Sequence, residues 1–128
     1  MTLLRYMLDP LIWKFYWAYV RGRETREREI LSKLTVKYPE EYLFHNNLAF
    51  NFARSKRFRD AIAAMNTKTA LHAHPIDRYY LGAWCFETQD RTRSVEYLEW
   101  FVRESEELSR ATDAYVARAK DFLQRQGA

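Results

Sequence analysis

The three histidines and the single cysteine, His45, His72, His74 and Cys85, are the side chains that could bind a transition metal. His72 and His74 are two residues apart, so a helix would point them to different sides, and no second cysteine supports them. That ligand set falls short of a zinc site. Cys85 lies in an apolar stretch, where a thiol behaves as a small hydrophobe. The chain has no glycine-rich phosphate loop, no nucleophile elbow and no paired carboxylates placed for acid–base work. No metal, no cofactor and no enzymatic chemistry are expected.

Charge placement is more informative. Arg21, Arg23, Arg26 and Arg28 surround one predicted turn, Arg54, Lys56, Arg57 and Arg59 a second, and Arg91 and Arg93 a third. In an antiparallel helical stack these turns fall on one edge and form a basic stripe. Glu40, Glu41, Asp77, Glu104, Glu106 and Glu107 gather on the opposite edge. A basic edge attracts phosphate, on anionic lipid or on nucleic acid. The alternative is that arginines near helix C-termini complement the helix dipole and stay solvated, with Glu24, Glu27, Asp60 and Asp90 diluting the stripe. Nucleic acid ranks last, because no base-reading motif is visible.

Trp13, Phe15, Tyr16 and Trp17 make the segment before Arg21 apolar nearly all round. It either docks on the rest of the chain, pairs with a second copy, or lies at a membrane surface with basic residues alongside.

These residues need elements to position them. A chain of 128 residues can bury one core without disulfides, and one cysteine excludes a disulfide framework. This leans towards a reducing, cytoplasmic setting, with peripheral membrane attachment as the variant. Arg5, Asp9 and Lys14 interrupt the apolar run in residues 1–20, leaving it too short to span a bilayer. No small-residue cleavage site follows it, so it is read as part of the folded protein.

Asp9-Pro10 starts a helix that Arg21-Gly22 ends. Ile30, Leu31, Leu34 and Tyr38 mark a buried stripe on a second helix over 24–37, closed by Pro39. Further helices are predicted at 40–53, 57–71, 76–88 and 92–103. A last one over 109–125 carries Ala111, Tyr115, Ala119 and Phe122 on one side. The expectation is an all-α antiparallel array of helix hairpins with short turns.

An internal period supports it. At an offset of 33, Leu48-Ala49 meets Leu81-Gly82, Phe52 meets Cys85, Ala61-Ile62 meets Ser94-Val95 and Met65 meets Leu98. With Leu-Gly at 81–82, small residues at Ala49, Ala61 and Ser94, and larger ones between, the chain resembles the tetratricopeptide repeat, TPR. The resemblance covers two units over 40–104. Residues 1–38 supply an aromatic helix and either a degenerate repeat or an unrelated hairpin, since Phe15 stands where a small residue is expected. The helix over 109–125 would be a solubilising cap on an α-solenoid.

The resemblance implies a protein-binding adaptor or scaffold that holds a partner's peptide or amphipathic helix in a concave groove. By position, the groove lining would be Leu43, Asn46, Phe50 and Ala53, then Ile76, Tyr79, Ala83 and Phe86. Phe50, Tyr79 and Phe86 would be apolar anchors, with Asn46 orienting the guest. Asn46 matches the asparagine of members that clamp a C-terminal carboxylate. Pro75 or Ile76 and Tyr79 replace the basic partners, which argues against such a clamp. The aromatic N-terminal segment could itself fill the groove.

Overall fold

The computed structural model describes residues 6–106 and 113–127, and apart from a 3-10 turn at Tyr6 the regular elements in them are α-helices. The order is α1 (Pro10–Val20), α2 (Glu24–Lys37), α3 (Tyr42–Arg54), α4 (Phe58–Leu71), α5 (Ile76–Glu87), α6 (Arg91–Glu106) and α7 (Asp113–Arg125). Of the predicted last helix, residues 109–112 lie outside the described residues, as does Glu107 of the acidic edge.

Local chemistry sets the helix starts. Asp9 caps α1 by accepting from the Leu11 N–H at 2.9 Å, and Pro10 occupies the first helical position, where no N–H is needed. The ends of α1, α3 and α5 share one backbone device. Gly22, Lys56 and Gln89 take φ of 67°, 60° and 64°, and the residue after each donates its N–H at 2.9 Å to the carbonyl five back, on Ala18, Phe52 and Cys85. These turn residues are 34 and 33 positions apart, so the hairpin α1–α2 closes in the same way as the two that follow it.

The interior is three apolar clusters in a row, each built from consecutive hairpins. Ala18 of α1, Ile30, Leu31 and Leu34 of α2 and Phe44 of α3 form the first, together with Tyr6. Ala49, Ala61, Ala64, Met65, Leu81 and Trp84 form the second. The third joins Tyr79, Leu98 and Phe101 to Ala119 of α7. Leu48 packs on the first cluster and Leu81 within the second, so each side chain enters the core of the preceding hairpin. The period of 33 is thus an equivalence of environment as well as of residue type.

Small residues set the close approaches. A Cβ on Gly82 would lie 2.6 Å from Leu98 Cγ, and Ser94 Oγ donates to the Gly82 carbonyl at 2.8 Å, so α5 and α6 are in contact along this seam. At the corresponding place in the first hairpin stands Glu27, which is almost wholly buried. Its carboxylate accepts from Arg54 Nη2 at 2.5 Å and from Asn51 Nδ2 at 3.1 Å. Asn51 also accepts from Arg28 Nε at 2.8 Å and donates to the Glu24 carbonyl at 3.0 Å. A buried carboxylate is tolerated there because every neighbour answers it.

Candidate functional site

Tyr42, Asn46 and Phe50 recur every four residues on α3 and therefore share one face. Across from them, α5 presents Ile76 and Tyr80, and α7 brings Tyr115. Together with the end of α4 they border an open cleft of about 410 Å³. Its walls are aromatic and mutually braced. Phe50 meets Tyr80 edge-on, with centroids 4.8 Å apart at 90°, and meets Trp84 at 5.6 Å. Tyr42 stacks on His72 at 4.2 Å. Tyr80 donates its hydroxyl to Tyr115 Oη at 3.3 Å.

The cleft's floor is ionic. Lys68 Nζ donates to both oxygens of Asp77 at 2.9 Å, and Thr69 and the His74 N–H complete the carboxylate's shell. Burial pushes the Tyr79 and Tyr80 phenols up from their ordinary value of 10.0. Both remain neutral donors across the physiological range. Asn46 is half-buried in this wall, and its amide makes no hydrogen bond among the described residues.

The groove residues named from the sequence do not form one surface. Asn46, Phe50 and Ile76 meet in the cleft. Tyr79 is only 7% exposed, its ring 5.1 Å from Tyr115 and 5.7 Å from Phe101. Phe86 packs on Phe122 at 5.0 Å. Tyr79 and Phe86 of the expected lining are therefore covered by α7, whereas the described part of the N-terminal aromatic segment packs on the first core cluster. Ala53 packs against the second core cluster. Leu43 and Ala83 are half-buried and lie outside the cleft. Tyr42, Lys68, His72, His74, Asp77, Tyr80 and Tyr115 line the cleft although they are not among the groove positions named from the sequence.

The histidines and cysteine are engaged separately. His45 Nε2 lies 3.0 Å from the Pro39 carbonyl, and His74 Nδ1 accepts from the Ile76 N–H at 3.1 Å. Cys85 is buried, and desolvation raises its thiol to about 11. Among the described residues no group of three or more metal-ligating side chains comes together.

The basic edge divides into paired and unpaired members. Arg54 is held by Glu27, Arg57 by Asp60 at 2.8 Å, and Arg93 approaches Asp90 at 3.7 Å. Arg21, Arg23, Lys56 and Arg91 make no ion pair among the described residues. Lys56 and Arg57 lie beside Gln89 of the next turn, so successive turns are neighbours on one edge.

On α1, Phe15 packs inward on the first core cluster, whereas Trp13, Tyr16 and Trp17 are exposed. No helix among the described residues is long and apolar enough to cross a membrane.

No family model matches the sequence, and a search of curated proteins finds no relative. Among solved structures, the Sgt2 TPR domain from Aspergillus fumigatus is similar, with a TM-score of 0.70 at 17% identity. The likeness covers 93% of this chain and 80% of that one. The fold is TPR-like: a helical-repeat α-solenoid.

Proposed function

We propose that this protein is a non-enzymatic adaptor that holds an extended peptide or a helix of a partner protein in the cleft between α3 and α5. The observation that carries the reading is the Asn46 amide, half-buried among aromatic walls and without a hydrogen-bond partner among the described residues. A side-chain amide has both an acceptor and a donor, so it pairs with both polar groups of a partner's peptide unit. Phe50, Ile76 and Tyr80 offer an apolar wall beside it. Rigid aromatics of this kind contribute most per residue at recognition surfaces. Helical-repeat folds serve many roles, and the TPR-like fold supports protein binding in general terms.

Selection of displayed random peptides against the whole chain tests this. Binders that carry an apolar or aromatic side chain are expected. Their affinity, read by fluorescence anisotropy, should fall about tenfold with Asn46→Ala and further with Phe50→Glu. Circular dichroism checks that both variants stay helical. Selected peptides that bind both variants as well as the parent would exclude this cleft.

A further inference from the structure

Trp13, Tyr16, Trp17 and Val20 stand at i, i+3, i+4 and i+7 on α1 and are 49%, 59%, 59% and 58% exposed. Leu8, just before the helix, is 98% exposed. The opposite side of α1, with Leu11, Phe15 and Ala18, is the side taken up by the core. A contiguous face of large apolar side chains is therefore left bare, which soluble surfaces seldom do without a partner.

Its border is cationic. A cavity of about 230 Å³ at the end of α1 is lined by Lys14, Trp17, Arg21, Arg23 and Arg26. The Arg21 guanidinium lies 5.0 Å over the Trp17 ring. Among the described residues only Arg26 of these cations has a carboxylate partner, Glu29 at 3.3 Å, and α1 itself contains no acidic residue. The Trp17 indole N–H and the Tyr16 hydroxyl are unbonded among the described residues. Apolar rings with polar tips and adjacent cations are what the headgroup layer accommodates.

We propose that this face of α1 seats on an anionic phospholipid surface, with phosphate headgroups at Lys14, Arg21 and Arg23. Charge decides among the occupants. Two copies facing each other through α1 would bring like charges together with no acidic residue on that helix to pair them. Nucleic acid would satisfy the arginines and could stack on the indoles, but it gives Leu8 and Val20 no apolar phase to enter.

The test uses the full chain with vesicles of phosphatidylcholine alone and of phosphatidylcholine mixed with phosphatidylserine, at low salt. Co-sedimentation with the mixed vesicles only is expected, with a blue shift of tryptophan emission. Arg21→Ser/Arg23→Ser should weaken it about thirtyfold. Trp13→Ser/Trp17→Ser should weaken it by more than about tenfold while circular dichroism is unchanged. The proposal is overturned by no sedimentation with mixed vesicles, by binding as strong as the parent's in both double variants, or by a self-associating chain whose dimer is lost in Trp13→Ser/Trp17→Ser. Tight binding of a single-stranded oligonucleotide without vesicle binding also overturns it. The peptide cleft is a separate surface, so either site can fail while the other stands.

Discussion

Lys68 and Asp77 form a two-pronged ion pair, 2.9 Å on each prong, with both side chains almost entirely out of water. The pair ties the end of α4 to the start of α5 beneath the candidate cleft. Removing one partner strands the other charge, so Asp77→Ala should lower the unfolding free energy by about 3–5 kcal/mol. Lys68→Met combined with Asp77→Leu should lose far less, since no buried charge remains. Urea unfolding of the three proteins decides it. A double variant as weak as Asp77→Ala would mean that Thr69 and the His74 N–H, rather than the charges, carry the junction.

Asp9 gives a pH signature. Bonds from Lys37 Nζ at 2.6 Å and Tyr38 Oη at 2.5 Å hold its carboxyl down at about 2, against an ordinary 3.8. A lowered folded value stabilises the fold above the unfolded value, and that contribution is lost as pH falls from about 4 to about 2. Asp9→Asn keeps the cap but removes the charge. Its melting temperature should lie below the parent's at neutral pH, and the gap should close across that acid window. The difference will be modest, because Lys37 is half in water.

Cys85 should resist thiol reagents. Its thiol is buried and raised to about 11, so little thiolate exists at neutral pH. Labelling of the native chain is expected to be slow and to become complete on addition of denaturant. Rapid stoichiometric labelling of folded protein would show that α5 opens readily.

Gly82→Ala sets two effects against each other. Alanine favours a helix over glycine by about 1 kcal/mol. The new methyl, however, would meet Leu98 Cγ at 2.6 Å, with the Leu98 backbone N also close. Overpacking at such a seam costs about 1–3 kcal/mol, so a net loss is expected in chemical unfolding. A gain would show that Leu98 moves aside freely.

Much of this architecture was legible beforehand because the signal is periodic. Leu48 and Leu81, or Ala49 and Gly82, are matched residues whose spacing reports a repeated packing problem. The candidate cleft was harder to read. Tyr79 and Phe86 stand where a groove lining belongs, yet they are covered by Tyr115 and Phe122 of α7. Position within one repeat carries no information about what the next element lays across it.

Glu27 shows another limit. In the sequence it is one charge among many beside the arginines. Its burial depends on Asn51 and Arg54 of the next hairpin, a three-body arrangement without local pattern. Trp13 and Trp17 differ again: a helix apolar on every side needs two neighbours, and α2 covers only one flank.

The succession of apolar clusters has a consequence for how the molecule comes apart. Every hairpin depends on a helix from its successor to seal its interior, down to Ala119 of α7. Detaching α7 would wet the rings of Tyr79 and Phe86, and that injury would pass back along the chain hairpin by hairpin. Weakening the contact of α7 with α5 should therefore speed amide exchange in α5 before it does so in α3.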